Sequence, residues 1–176
     1  ATYHLWGADG VESLMKQRYP QHWDMYCGVR YPIMRCDIGR IAILHSYGGL
    51  YADLDTLPNR TWYEQAELAV ARVQVQRGDK GARTPTRLAA KNDPSLMKGD
   101  PFLEMEVIVG SARNGVFLDW LEYIHGQIAC KPYTDKSSFW RTARMRYVFQ
   151  TTGPKCVNRF LQRPDIASKV ARMEFL

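Results

Sequence analysis

At 176 residues, 45% of them hydrophobic, the chain is long enough for one cored domain and too short for two of ordinary size. Its net charge of +6 and pI near 9.2 favour anionic contacts, which include nucleotides, phosphates, nucleic acid and acidic proteins, and charge alone does not choose among them. No apolar run reaches membrane-span length, and Ala1–Gly10 has neither the basic start nor the apolar core of a signal peptide, so no membrane segment is expected in these residues.

In chain order, Thr2–Trp6 alternates enough to suggest a strand, followed by a turn at Gly7–Gly10. A helix is expected from Asp9 or Gly10 to Lys16, with Leu14 and Met15 inward. Tyr19, Trp23, Tyr26 and Tyr31 form an aromatic cluster around Pro20 and His22, read first as core packing and, for Trp6 and Trp23, alternatively as a sugar-stacking surface. Cys27, Cys36, Cys130 and Cys156 lack any metal-ligand spacing and are read as free or buried thiols, with a Cys27–Cys36 disulfide left open.

Pro32 suits the first turn of a helix, and Met34, Ile38, Ile41 and Leu44 then recur at helical spacing, giving a buried face. Asp37 and Arg40 stand one turn apart, placed either to pair as an ordinary surface ion pair or to point together at a ligand. Gly48 and Gly49 supply the positive-φ residue that ends a helix and the small residue that lets the chain turn sharply. Leu50–Leu54 reads as a short strand, and Pro58 closes the run. Because strand side chains alternate, Asp53 and Asp55 are expected on one side, where their oxygens converge on one cation. Hard cations such as Mn²⁺ and Mg²⁺ prefer oxygen ligands, and Mg²⁺ is commonly held by one or two carboxylates plus substrate phosphates. The competing phosphate and hydrolase motifs, from the P-loop to the nucleophile elbow, are absent.

The run Asp37-x-x-Arg40, Leu44, Tyr47-Gly48-Gly49-Leu50-Tyr51-x-Asp53-Leu54-Asp55 resembles the Asp-x-Asp sugar-binding region of glycosyltransferases. That group takes in initiating α-1,6-mannosyltransferases, capsular sugar transferases and, distantly, the glucosylating clostridial toxins. The resemblance implies an α/β fold of the GT-A type, a mixed central sheet flanked by helices, in one domain over residues 1–176. It further implies metal-dependent transfer of a sugar, with retention of configuration, from a UDP- or GDP-sugar to a glycan, lipid or protein acceptor. Asp37 and Arg40 would contact the donor sugar or its phosphates. Asp53 would bind the donor and share the Mn²⁺ or Mg²⁺, Asp55 would ligate it directly, and Tyr47, Gly48, Gly49 and Tyr51 would scaffold the donor site.

Beyond this block, a helix and then a strand over Ala69–Val75 are expected, the strand lying beside the Asp-x-Asp strand. Residues 76–99 carry Arg77, Lys80, Arg83, Arg87, Lys91 and Lys98 among glycines and prolines, which reads as a basic loop: a solvated one, or a docking surface for an acceptor, a larger protein or RNA. Phe102–Ser111 reads as a strand, where the family usually carries an Asn and this chain offers Glu104 and Glu106. Val116–Ile124 reads as an amphipathic helix with Phe117, Leu118, Leu121 and Ile124 inward. Phe139–Phe149 reads as a basic aromatic helix, and Thr151-Thr152-Gly153-Pro154 opens a last helix to Leu161 with Thr152 as its cap. The family's first nucleotide-binding strand and its closing ligand segment have no counterpart, so the domain is expected to be incomplete at both ends. A second class of function follows from that expectation: a catalytically reduced glycosyltransferase-like domain serving as an interaction subunit of a larger assembly. The compartment is left open between a secretory lumen, a bacterial cytoplasm and an organelle assembly.

Overall fold

The computed structural model describes residues 2–54, 73–77, 103–131, 140–167 and 169–173. Three helices come first, α1 (Ala8–Arg18), α2 (Pro20–Gly28) and α3 (Pro32–Tyr47), then strands β1 (Gly49–Ala52), β2 (Val73–Arg77) and β3 (Leu103–Gly110). Helices α4 (Gly115–Cys130), α5 (Trp140–Thr151), α6 (Pro154–Leu161) and the single turn α7 (Pro164–Ala167) follow, and β4 (Val170–Met173) ends the described chain.

Helix α3 forms as its spacing predicts. Pro32 sits in its first turn, where the missing N–H costs nothing, and Met34, Ile38, Ile41 and Leu44 are all buried. Gly39 lets α1 approach closely, because a Cβ there would stand 2.7 Å from Val11 Cγ1. The helix packs against α1, α2 and α4 on its sides and against β1 and β3 of the sheet. Phe117, Trp120, Leu121 and Ile124 of α4 and Phe160 of α6 are fully buried in the same core, with the Trp120 and Phe160 rings stacked at 5.7 Å. Leu118, expected inward, is only partly buried against that core. The aromatic reading of the early cluster holds for Tyr19 and Tyr26, which are core residues, while Trp23 and Tyr31 pack at its margin.

The sheet is mixed, in the order β1-β3-β2-β4. β3 runs antiparallel to both neighbours, and β2 runs parallel to β4. Thus β2 does not lie beside β1, as expected from their order in the chain; β3 takes that place, pairing Gly49 with Gly110 and Tyr51 with Ile108. Thr2–Trp6, expected to be a strand, forms none and pairs with none of the described strands. α6 is also not the last helix, since α7 follows it, and β4 comes after both. No helix among the described residues is long and apolar enough to cross a membrane. The cysteines are free thiols, including Cys27 and Cys36. Residues 55–72 and 78–102, which include Asp55, the helix expected before β2 and most of the basic loop, lie outside the described residues.

Candidate functional site

Gly48 and Gly49 bring the end of α3 onto the sheet. Gly48 has φ 67° and donates its N–H to the Leu44 carbonyl at 2.8 Å, and Gly49 has φ 95°. A carbonyl left over at the helix end, that of His45, accepts from the Arg113 N–H at 2.7 Å, so the β3–α4 loop caps α3 from outside. β1 then runs for four residues and releases the chain at Asp53. Leu54 sits in a turn and is 92% exposed, so strand alternation ends before it and does not by itself set the direction of Asp55.

Arg40 is the centre of what gathers here. It is 5% exposed, and its guanidinium reaches three elements at once. Nη2 stands 3.2 Å from Asp37 Oδ1, one turn back on α3. Nη1 donates to the Met105 carbonyl of β3 at 2.6 Å and stands 3.3 Å from Asp53 Oδ1. Its plane lies over the Tyr51 ring, with Cζ 4.8 Å from the centroid. The Tyr51 hydroxyl donates to the same Asp53 oxygen at 2.7 Å. Burial pushes that hydroxyl's pKa well above the usual tyrosine value, so it is a donor throughout the working pH range.

Asp37 is 4% exposed and is neither a surface ion-pair partner nor open to a ligand in this state. Burial pushes its carboxyl up to about 6, against the opposing pull of Arg40 and of the Thr152 hydroxyl, which donates to Asp37 Oδ2 at 2.7 Å. Thr152 is therefore not the cap of α6. Gly153 holds that position and no side chain caps it, because the Thr152 hydroxyl is directed across the core to α3. A fully buried acid on a helix needs donors for both oxygens, and the run of two threonines before Gly-Pro was the available hint, since only one of them can cap. Thr151 instead returns its hydroxyl to its own helix, at Tyr147 O, 2.7 Å away.

The anticipated donor residues thus divide. Asp37, Arg40, Tyr51 and Asp53 converge on one network, and Gly48 and Gly49 form the turn that aims it. Tyr47 lies outside that network: it is 54% exposed, with the Trp6 ring at 5.3 Å and Arg18 over its face at 5.1 Å. Asp53 Oδ1 is doubly engaged, whereas Oδ2 has no partner among the described residues and its side chain is 29% exposed. No group of three or more His, Cys, Asp or Glu side chains fit to hold a metal ion forms among the described residues. A cation held by one or two carboxylates and a substrate's phosphates needs no such group.

Residues 3–71 match the family described as "Glycosyltransferase sugar-binding region containing DXD motif". Within the chain, 54 residues are 44% identical to mannosyl phosphorylinositol ceramide synthase CSH1 of Saccharomyces cerevisiae, covering 31% of this chain and 14% of that protein. Another 59-residue match is 39% identical to inositol phosphoceramide mannosyltransferase 3 of Schizosaccharomyces pombe, over 34% of this chain and 17% of that protein. The yeast mannosyl phosphorylinositol ceramide synthase SUR1 is 42% identical over 53 residues, 30% of this chain and 14% of its own length. The chain therefore spans only a small part of the curated relatives it matches. No solved structure matches the chain at a significant level. The matched stretch contributes Asp37, Arg40, Tyr51 and Asp53 to the network, while Met105 and Thr152 come from beyond it.

Proposed function

We propose that this chain carries the donor site of a metal-dependent, retaining glycosyltransferase of the GT-A type. Asp55 and the outward oxygen of Asp53 would hold Mn²⁺ or Mg²⁺ against the diphosphate of a nucleotide-sugar. The single observation that carries the reading is the fixing of Asp53 by Arg40 and Tyr51, which occupies one carboxylate oxygen and leaves the other available. A bound divalent cation would supply charge neutralisation at the leaving diphosphate. The chain's own part is positioning. Arg40 and Tyr51 prevent rotation of the Asp53 carboxylate, and preorganised charge of this kind stabilises a transition state without reorganising during the reaction. No side chain here is assigned as a covalent nucleophile; the leaving diphosphate serves as the acceptor's base.

The relatives' names carry a mannosyl group and an inositol phosphoceramide, which makes a nucleotide-linked mannose the first donor to test and an anionic inositol phospholipid the first acceptor. A net charge of +6 suits an anionic acceptor. Calorimetric titration of the protein with UDP- and GDP-sugars, with and without Mn²⁺, should show one Mn²⁺-dependent binder, and Asp55→Ala should abolish that binding while leaving thermal unfolding unchanged. Absence of heat with every sugar nucleotide, with and without metal, would overturn the reading.

A further inference from the structure

Thr152 lies 115 residues from Asp37 in sequence and well past the family match, yet its hydroxyl donates to Asp37 Oδ2 at 2.7 Å. A carboxylate only accepts hydrogen bonds, so a buried one needs a donor for each oxygen. Arg40 serves Asp37 Oδ1, and among the described residues the Thr152 hydroxyl is what serves Oδ2.

Other uses of that hydroxyl are closed off. The nearest alternative acceptor is the Val148 carbonyl at 3.5 Å, and it already accepts the N–H groups of Thr152 and Gly153 at 3.0 and 2.9 Å. Both lone pairs of that carbonyl are therefore engaged, and the hydroxyl proton is left for Asp37. The backbone beneath Thr152 is also held in place. A Cβ on Gly153 would stand 3.2 Å from Phe149 Cα, and the next helix is anchored by Cys156, Val157 and Phe160 in the core.

We infer that Thr152 is a positioning residue of the donor site, acting through Asp37 and Arg40 to fix the carboxylate of Asp53. The inference rests on the donor-site reading above, because Asp53 matters only if it receives a ligand. Its chain of contacts is continuous: Thr152 Oγ1 to Asp37 Oδ2 at 2.7 Å, Asp37 Oδ1 to Arg40 Nη2 at 3.2 Å, and Arg40 Nη1 to Asp53 Oδ1 at 3.3 Å. Removing the hydroxyl leaves a buried carboxylate oxygen without a partner. The carboxylate then turns or takes up a proton, and in either case it loosens its hold on Arg40. Outer partners of this kind typically tune a metal site by about ten- to a hundred-fold.

Two substitutions and two measurements test the inference. Thr152→Val keeps the shape and removes the hydroxyl, whereas Thr152→Ser keeps the hydroxyl. In the metal-free protein at low temperature, the Arg40 Nη–H resonances, on the nitrogens that face Asp37 and Asp53, should be resolved and slow to exchange in the wild type and in Thr152→Ser, and shifted or lost to exchange in Thr152→Val. Mn²⁺-dependent affinity for the nucleotide-sugar should fall about ten- to a hundred-fold in Thr152→Val and stay within about two-fold in Thr152→Ser. A Thr152→Val protein with the wild-type Arg40 resonance and wild-type affinity overturns the inference and leaves the donor-site reading standing. If the wild type binds no sugar nucleotide, the donor-site reading fails, and the inference that Thr152 positions a donor carboxylate fails with it; the Arg40 resonance then reports whether the contact chain exists without that role. Should Thr152→Val not fold, the wild type carries the test: a Thr152 hydroxyl proton too fast-exchanging to observe overturns the bond to Asp37.

Discussion

Asp37 places a carboxylate where water does not reach, and its titration shows the cost of doing so. Burial raises its carboxyl from the usual value near 3.8 to about 6, Arg40 and Thr152 notwithstanding. Between those two values the folded protein holds a proton that the unfolded chain has released, so this group's contribution to stability is full below pH 3.8 and is lost as pH rises through about 6. Urea unfolding across pH 4 to 7 should therefore show the wild type losing stability relative to Asp37→Asn as pH rises to about 6, with a constant difference above it. His22 acts in the opposite sense and must be held constant in that comparison. Burial, with His125 nearby, lowers its pKa below 6.5, so its contribution is present above that value and is lost on acidification. At this scale the sequence told part of the story. The spacing of Asp37 and Arg40 announced a pair, but whether the pair lay on the surface or in the core depended on Met105 and Thr152, which no local pattern connects to α3.

The junction between α3 and β1 was legible in detail, because it is written in two glycines whose conformations other residues avoid. The two are not equivalent. A Cβ on Gly48 would fall on the backbone nitrogen of Ala112, whereas a Cβ on Gly49 would meet open space. Gly48→Ala combines the cost of a positive-φ, extended-ψ backbone open essentially to glycine alone, about 1–3 kcal/mol, with a collision against main chain that has no flexible end to yield. Gly49→Ala carries the conformational cost alone. Chemical unfolding should rank Gly48→Ala as clearly the more damaging, and Gly48→Ala should also weaken sugar-nucleotide binding by displacing β1. The sheet was less legible. Placing β2 beside β1 followed the usual tendency of successive strands to be neighbours, and the tendency failed because β3 pairs with both. Hydrophobic alternation identifies a strand, but it does not name the partner across the ladder. The mixed α/β character is what the resemblance implied; the order of the strands was not legible.

At the scale of the whole molecule, the core is assembled from both halves of the chain. Cys156 lies inside it, and burial pushes its thiol up to about 12, whereas Cys27, Cys36 and Cys130 are exposed. Reaction of the native protein with a thiol reagent at neutral pH should modify three of the four cysteines, and Cys156 only after denaturation. Mass spectrometry of the peptides reads the outcome. The free state of Cys27 and Cys36 was one of two possibilities the sequence left open, since proximity in sequence does not set the geometry a disulfide needs. The apolar faces of α3 and α4 were each read from their own periodicity, but nothing in either face said that they would cover one another. That covering has a consequence for how such a region can be moved. Trp120, Ile124 and Phe160 share one core with the residues of α3, and Thr152 and Met105 complete the bonds of Asp37 and Arg40, all from beyond residue 71. The recognisable stretch is thus not a portable cassette. Grafted into a foreign scaffold, residues 3–71 would carry the matched signature without the partners, Met105 and Thr152 among them, that hold it in shape here.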